Sequence, residues 1–410
     1  MADLWTLDDL GRDALAGKRV FVRVDFNVPL SEDRKVLDAT RLEEAVPTIR
    51  ELIAAGAVVI LASHLGRPKG KPDPRYTLRP VADALGPLLG HPVHFAADCV
   101  GPEVEALVRG MGPGEVLLLE NLRFHAEEEK NDPEFAGRLA ALADVYVDDA
   151  FGSAHRAHAS VVGVPERLAA KAAGRLMARE VVALGRLLGE PERPFAAILG
   201  GAKIEGKIDT LENLLPRLDL LLLGGGMANT FLAAEGHELG SSLFEPDRLD
   251  VARDILARAK ARGTEVVLPL DVVVTEDLGN PGRIETVPAD RIPAGLKAVD
   301  VGPETRRAFA VAIARARTLF WNGPLGVFEK PPFDAGTREV AAALASCAGF
   351  TVIGGGETVA AGKQAGVADR IGHVSTGGGA SLEFLAGKTL PGVAVLEKGA
   401  SEPAVSETNR

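Results

Sequence analysis

The chain has few of the residues that mark disulfide-rich, zinc-binding or aromatic-rich proteins. Its 410 residues include only two cysteines, Cys99 and Cys347, with two tryptophans and two tyrosines. Two distant cysteines supply neither a disulfide framework nor a zinc site, which favours a reducing compartment. Residues 1–5 lack a basic segment followed by an apolar one, so we expect no secretory signal and a cytoplasmic location.

Long hydrophobic runs and positive charge are also scarce. The longest apolar runs, such as 57–62 and 220–223, have the length of a strand and are far too short to cross a membrane. The chain carries 46 Lys and Arg against 57 Asp and Glu, a formal net charge of −11. Such a chain is repelled by nucleic acids and anionic membranes, so we expect neither as a partner. An anionic ligand therefore requires locally clustered basic residues.

Glycine, in contrast, is abundant, with 46 residues in 410 where about 7% is ordinary. Short β-branched runs alternate with amphipathic stretches, as is typical of parallel sheets with helical crossovers. We predict an α/β fold of two Rossmann-like parallel-sheet domains with helices on both faces. The expected strands are 20–25, 58–63, 116–119 and 145–147 in the first half, and 195–199, 218–223, 265–268, 318–321 and 350–353 in the second.

An Ala/Leu/Arg-rich stretch at 172–188 separates the two series of strands. Pro165 precedes it, and Gly189 and Pro191 end it, so we predict one long hinge helix. This gives domains at 1–170 and 171–396, with a flexible polar tail at 397–410 and the end of the chain able to return to the first domain. The alternative is a crossover helix within one large sheet, but open sheets of ten or more strands are less common.

The residues that follow the strands of the first half are largely basic. Ligands of open α/β sheets bind beyond the carboxyl ends of the strands, so we take these residues as the candidate site. They are Asp25, Phe26, Asn27, His64, Leu65, Gly66, Arg67, Arg123 and Arg156, with Arg41 at the start of the helix after the first strand. Clustered guanidinium groups repel one another unless an anion lies among them, and a phosphate or carboxylate fits them well. The alternative is that each arginine pairs with an acid such as Asp148 or Asp149.

The strands of the second half are followed by glycines. They occur at 200–201, 224–226, 323, 354–356 and 377–379. Glycine lets backbone N–H groups approach a phosphate, so five such strand ends predict a nucleotide or another polyphosphate ligand.

Residues 201–207 resemble a P-loop, but Ile208 stands where that motif needs Ser or Thr. Lys203 and Lys207 are instead expected to share one helix face. The absence of a G-x-G-x-x-G motif after the first strand of either half argues against a dinucleotide dehydrogenase.

Taken together, seven motifs resemble those of the phosphoglycerate kinase family, in order, over about 20–393. They are Arg23-Val24-Asp25-Phe26-Asn27-Val28-Pro29, Ser63-His64-Leu65-Gly66-Arg67-Pro68, Glu120-Asn121-Leu122-Arg123-Phe124, Ala154-His155-Arg156-Ala157-His158, Gly200-Gly201-Ala202-Lys203, Trp321-Asn322-Gly323-Pro324 and Ser375-Thr376-Gly377-Gly378-Gly379-Ala380-Ser381. The resemblance implies reversible phosphoryl transfer from 1,3-bisphosphoglycerate to ADP, giving 3-phosphoglycerate and MgATP. It also implies a monomer that closes by hinge bending.

The resemblance also implies roles for individual residues. The first-half set above would bind phosphoglycerate, and Arg41, Lys203, Lys207 and Gly378 would be catalytic. The nucleotide would be bound by Lys203, Lys207, Gly225, Asn322, Pro324, Glu329, Gly355, Gly356, Glu357 and Thr358. Glu357 stands where the family usually has Asp and is the expected Mg²⁺ ligand, directly or through water. Ile204-Glu205-Gly206 departs from the commoner Val-Ser-Asp.

Two other classes of function remain open on the residues alone. One is a dehydrogenase with Rossmann-like domains, which would reduce NAD. The other is a non-catalytic anion-binding protein hinged between two lobes, which would transfer no phosphoryl group to ADP.

Overall fold

The computed structural model describes residues 3–399, which form two compact units. The first unit consists of residues up to Val182 together with the segment from Thr389 onward, and the second is Ala183–Lys388. The predicted boundary at 170/171 lies twelve residues before the boundary in the structure. Glu397 and Lys398 of the expected tail pair with the N-terminal segment, and 400–410 lie outside the described residues.

The first unit is built on a six-stranded parallel sheet in the order β3-β4-β2-β1-β5-β6. Its strands are β1 (Arg19–Val24), β2 (Val58–Ala62), β3 (Val93–Phe95), β4 (Val116–Leu118), β5 (Val145–Asp149) and β6 (Ala170–Ala173). The two central strands, β1 and β2, are almost entirely buried, as expected for a parallel sheet covered by helices on both faces. The prediction of the fold class is therefore confirmed for this unit.

Helices connect these strands and cover the sheet. They are α1 (Leu7–Leu10), α2 (Thr40–Ala54), α3 (Arg79–Leu89), α4 (Pro102–Gly110), α5 (Ala126–Glu129), α6 (Pro133–Ala140) and, at the end of the chain, α15 (Pro391–Ala394). The start of α2 is fixed by the Asp38 carboxylate, which accepts the Thr40 N–H at 2.9 Å. Gly56, just after the helix, adopts a φ of 75° that favours glycine. This places Arg41 in the first turn of α2.

The second unit contains another six-stranded parallel sheet, in the order β10-β8-β7-β15-β16-β17. Its strands are β7 (Phe195–Leu199), β8 (Leu220–Leu223), β10 (Glu265–Val267), β15 (Thr318–Asn322), β16 (Phe350–Gly354) and β17 (His373–Val374). The helices of this unit are α8 (Ile208–Leu214), α9 (Gly225–Ala234), α10 (Leu249–Arg262), α11 (Pro303–Arg315), α12 (Ala335–Ala345), α13 (Gly356–Gln364) and α14 (Gly379–Leu385). The prediction of a second α/β domain built on a parallel sheet is therefore also confirmed.

Two small sheets of the second unit were not predicted. One is antiparallel, with β11 (Asp271–Thr275) between β12 (Ile284–Pro288) and β14 (Lys297–Val301). The other pairs β9 (Glu238–Leu239) with β13 (Arg291–Ile292). In β12 exposed and half-buried residues alternate, so it offers no continuous apolar run. The three-stranded sheet forms part of the cavity wall described below.

A helix, α7 (Arg175–Leu188), runs across the boundary between the units. The prediction of a helix from residue 172 was wrong at its start, because Ala170–Ala173 pairs with β5 as an edge strand. The Ala and Lys residues of β6 have little preference for strands, so pairing with the buried strand β5 decides their conformation. The Asp149 carboxylate accepts the N–H groups of Leu176 and Met177 and thereby caps the helix. No helix within residues 3–399 is long and apolar enough to cross a membrane.

Candidate functional site

In the first unit, an acidic and a basic side chain meet at the carboxyl end of β1. Arg41 Nη1 forms an ion pair with the Asp25 carboxylate at 2.7 Å, and the nearest His64 ring nitrogen lies 4.0 Å from the same oxygen. Burial opposes the charge on Asp25, but the positive charges of Arg41 and Arg23 hold the pKa of this carboxyl below its ordinary value. Burial lowers the pKa of His64 well below its ordinary value, and the nearby arginines act in the same direction. His64 is therefore neutral at pH 7.

A fully buried guanidinium, that of Arg23, supports this edge from within β1. It donates to Ser160 Oγ at 2.9 Å, to the Val24 carbonyl and to His64 Nδ1 at 3.2 Å. Ser160 in turn donates to the buried Glu128 carboxylate at 2.6 Å. Sequence reasoning gave Arg23 no role of its own, although an arginine within an apolar strand is a visible signal.

The loop after β2 is joined by hydrogen bonds to the loops after β1 and β4. The Gly66 N–H donates to Asn27 Oδ1, and the Arg123 guanidinium donates to the Gly66 carbonyl, both at 2.9 Å. Arg123 is mostly buried and lies 3.3 Å from the Glu129 carboxylate. Burial lowers the pKa of Arg123, and the positive charges of Arg23 and Arg156 contribute to the shift. The structure thus brings Asn27, Gly66 and Arg123 together.

The other predicted residues of this edge fall into two groups. Arg67 and Arg156 are exposed and follow the carboxyl ends of their strands, and Arg156 Nε donates to His155 Nε2 at 3.2 Å. Phe26 and Leu65 are buried in the core, so only their backbones can reach a ligand. Ser63 Oγ accepts the Phe26 N–H at 2.8 Å, which fixes that backbone.

The alternative to an anion site was that acids such as Asp148 and Asp149 pair with the arginines of this edge. These two carboxylates instead accept hydrogen bonds from other groups. Asp148 accepts the Ala150 N–H at 2.9 Å and the Tyr146 hydroxyl at 3.2 Å. Asp149 accepts backbone N–H groups of α7. Burial raises the pKa of Asp148 to about 6 and that of Asp149 to about 7. Both carboxyls therefore bind the backbone, whereas Arg41 and Arg123 pair with other acids, Asp25 and Glu129.

In the second unit, the carboxyl ends of the strands border a cavity of about 270 Å³. Six residues that belong to the predicted site or its glycine-rich strand ends line it: Gly201, Gly225, Gly226, Pro324, Glu329 and Glu357. Sequence reasoning missed its apolar wall, which includes Leu243, Val272 and Leu278. Apolar side chains do not by themselves indicate a binding site in a sequence. Two of these three residues lie on or beside β11, a strand that was not predicted. A flat apolar ring with a polar tail suits such a cavity.

Two glycines at this edge are required by the backbone itself. Gly225 has a φ of 63°, and a Cβ there would lie 2.7 Å from the Gly201 carbonyl oxygen. Gly378 precedes α14 with a φ of 55°, in a turn held by a 2.6 Å hydrogen bond between Ser375 and Ser381. The glycine pattern therefore reflects backbone conformation and close approach.

The two predicted lysines occupy different surroundings. Lys207 donates to the carbonyls of Gly200 and Asn322, and burial lowers its pKa to about 8, although Glu357 opposes the shift. Lys203 is exposed. The prediction that they share a helix face was wrong, because Glu205–Lys207 forms one 3₁₀ turn and α8 begins only at Ile208. The Ile204 N–H donates to the carboxylate of Glu245, which lies outside this loop.

Hydrogen bonds between side chains and backbone hold the loops after β15 and β16 together. Asn322 Nδ2 donates to the Gly354 carbonyl, and the Gly323 N–H donates to Thr358 Oγ1, both at 2.7 Å. Asn322 Oδ1 is buried without a hydrogen-bond partner, so this edge keeps a free acceptor. Gly355 and Gly356 begin α13, and the next residue, Glu357, is exposed toward the cavity.

A carboxylate is the group at this edge that could hold a metal ion. Glu357 lines the cavity and offers the oxygen ligands that Mg²⁺ prefers. In the described part of the chain, another group with potential ligands is Asp98, Cys99 and His125. There, Asp98 already accepts the Cys99 N–H at 2.6 Å and lies 2.7 Å from His125 Nε2, which makes it a hydrogen-bonded cluster.

Comparison with known proteins gives one consistent result. The family model described as phosphoglycerate kinase matches residues 7–388. A phosphoglycerate kinase from Desulforudis audaxviator is 59% identical over 383 residues, covering 93% of this chain and 97% of the relative. One from Thermus thermophilus is 57% identical, with the same coverage.

Solved structures agree with the family model. The phosphoglycerate kinase from Coxiella burnetii has a TM-score of 0.86 and 39% identity, covering 96% of this chain and 98% of its own. The enzyme from Pyrococcus horikoshii has a TM-score of 0.82 and 33% identity, with the same coverage. The chain therefore belongs to the phosphoglycerate kinase family.

Proposed function

We propose that the first unit binds the phosphoglycerate and the second unit binds the nucleotide in the family's reaction. That reaction is reversible phosphoryl transfer between 1,3-bisphosphoglycerate and ADP, and the chain is a phosphotransferase that uses ATP. The observation that carries the assignment is the segregation of charge: guanidinium groups surround the strand ends of the first sheet, whereas glycines and an apolar cavity follow the strands of the second. We further propose a cytoplasmic monomer.

On the first unit, the basic edge would hold the two charged ends of phosphoglycerate. Arg123 and Arg156 face the non-reacting phosphate, and Asn27 with the Gly66 loop fixes the carbon chain. Arg41 is bound to Asp25 at 2.7 Å, and either a carboxyl or a phosphoryl oxygen can compete for that guanidinium. His64 stays neutral and acts as a hydrogen-bonding partner, since its pKa is far below 7.

On the second unit, the cavity takes the base and Glu329 the ribose. Lys203 and Lys207, with the N–H groups of the loops at Gly355 and Gly378, neutralise the phosphates. Phosphoryl transfer needs positioning and charge neutralisation more than covalent chemistry, so no protein nucleophile takes part. The carboxylate of Glu357 would hold Mg²⁺, together with phosphate oxygens and water. When bound, Mg²⁺ neutralises charge on the nucleotide phosphates.

The assay that tests this proposal couples the reaction of 3-phosphoglycerate and ATP, with magnesium, to reduction of the acyl phosphate product. The expected result is product formation that requires all three components. Reduction of NAD by the protein alone would support a dehydrogenase instead. Absence of phosphoryl transfer under these conditions would leave an anion-binding protein without this activity.

Replacing Glu357 with glutamine is expected to raise the magnesium concentration needed for half-maximal activity. The amide keeps the size of the side chain but removes its negative charge, which is what attracts the cation. Glu357→Asp keeps the charge and restores the residue usual in the family, so its effect should be small. Magnesium titrations of the three proteins check this. An unaltered magnesium dependence in Glu357→Gln would mean that phosphates and water hold the metal without the protein.

The affinity for MgADP is expected to fall as the pH rises through about 8. Lys207 has a pKa of about 8 in the free protein, so its ammonium is charged below that pH and neutral above it. Only the charged form attracts phosphate. Lys207→Arg stays charged throughout this range and should remove most of the dependence. Calorimetric titrations from pH 6.5 to 9.5 compare the two proteins, and parallel curves would contradict a role for the Lys207 charge.

A further inference from the structure

The segment 243–248 of the second unit contacts the loop that carries both lysines. We call residues 203–207 the lysine loop. The Ile204 N–H donates to the Glu245 carboxylate at 2.5 Å, and the Arg248 guanidinium donates to Glu205 at 3.1 Å. Both contacts fall between Lys203 and Lys207, so the segment binds the loop at its centre.

This segment is itself fixed to the helix that begins at the cavity. Asn229 Nδ2 on α9 donates to the Leu243 carbonyl at 2.9 Å, and the Glu245 N–H donates to Thr230 Oγ1 at 3.1 Å. Thr230 is fully buried, and α9 starts at Gly225, which lines the cavity. Leu243 also lines the cavity. A rigid connection thus runs from the cavity wall to the lysine loop.

The lysine loop has little structure of its own. It makes one 3₁₀ turn, and the position where a Cβ of Gly206 would lie has no neighbour within 4 Å. Lys203 and Glu205 are exposed, whereas the Ile204 side chain is fully buried. The Lys207 N–H donates to the Ile204 carbonyl within the turn at 2.8 Å, and Lys207 also bonds to the Gly200 and Asn322 carbonyls. The buried Ile204 side chain and the Ile204 N–H bond to Glu245 fix the start of this segment from outside the loop.

We propose that Glu245 is a positioning residue that sets the place of Lys203 and Lys207 through the Ile204 N–H. The inference rests on the proposed function, because it assigns the lysines to the nucleotide and the transferring group. Glu245 is only 9% exposed, so its bond to Ile204 is well shielded from water. The Glu205–Arg248 pair is more exposed and plays a supporting part. A displacement of about 1 Å in a charge that neutralises the transferring group can cost about a hundredfold in rate.

The first test compares Glu245→Ala, which removes the acceptor, with Glu245→Gln, which keeps an acceptor oxygen. We expect Glu245→Ala to lower kcat by roughly tenfold or more and to raise the KM for the nucleotide, with the KM for 3-phosphoglycerate unchanged. Glu245→Gln should stay within about threefold of the unaltered protein, because the N–H bond is retained. Glu238→Ala, on the exposed β9, serves as the control for loss of one negative charge.

The second test follows the loop itself and does not depend on kinase activity. In Glu245→Ala, the Ile204 amide should exchange its hydrogen faster, and trypsin should cleave more readily after Lys203. Glu205→Arg should lower kcat, and the double variant Glu205→Arg with Arg248→Glu should restore it, which keeps the inference testable if Glu245→Ala does not fold.

The outcomes separate the two proposals. Faster exchange with unchanged kcat and nucleotide KM would overturn the positioning role, and so would unchanged exchange at Ile204. If the unaltered protein transfers no phosphoryl group, the proposed function fails together with the catalytic part of this inference. The exchange data would then still decide whether Glu245 anchors the loop.

Discussion

Arg41→Ala is expected to lower kcat by about a hundredfold or more, the loss typical of one preorganised charge donor. Arg41 lies in the first turn of α2 and is held at the carboxyl end of β1 by a 2.7 Å contact with Asp25. We propose that its charge matters most while the phosphoryl group lies between donor and acceptor. Steady-state kinetics of both substrates measure the effect, with a modest change in KM expected.

Arg50→Ala is the matched control for this prediction. Arg50 lies on the same helix, nine residues further on, and donates to the Leu88 carbonyl at 2.9 Å. It should keep nearly full activity. An Arg41→Ala protein with unchanged kcat and only a raised KM would reassign Arg41 to binding of the ground state.

Lys203→Ala is expected to lower kcat by roughly a hundredfold with almost no change in the free energy of unfolding. Lys203 is exposed, so its removal leaves no cavity in the core. Its charge would act on the transferring group, where neutralisation lowers the barrier directly. Steady-state kinetics measure kcat, and urea unfolding measures the free energy of unfolding.

Lys260→Ala, on the exposed surface of α10, controls for the loss of one positive charge from the second unit. It should match the unaltered protein in both assays. A Lys203→Ala protein that loses stability as well as activity would indicate a structural role for this lysine. A protein that keeps its kcat would remove Lys203 from the catalytic set.

The central strands could be predicted because parallel strands buried on both faces read as continuous apolar runs. The short β3 is partly exposed and β6 is Ala170-Lys171-Ala172-Ala173, so neither shows such a run. The apolar run within β11 was present but was not recognised as a strand. In these cases pairing with neighbouring strands decides the structure, and a single sequence does not contain that information.

The charged part of the candidate site followed from the topology. Once the strands are parallel, their carboxyl ends lie at one edge, and the side chains after them gather there. The place of Lys203 could not be predicted, because its loop forms a single 3₁₀ turn and contacts Glu245, which lies 41 residues after Ile204 in the chain. The glycines were visible, but their positive φ values and the apolar cavity wall became apparent only in three dimensions.

We propose that each unit holds one substrate and that the units must close for transfer to occur. The reacting oxygens have to approach within about 3–3.5 Å, and water must be kept from the acyl phosphate. We propose that α7, whose N-terminus is capped by Asp149, carries the hinge. Small-angle scattering of the free protein, both binary complexes and the ternary complex measures this directly. The account predicts partial closure at most with either ligand alone and the smallest radius of gyration in the ternary complex. A radius that is constant across all four states would contradict it.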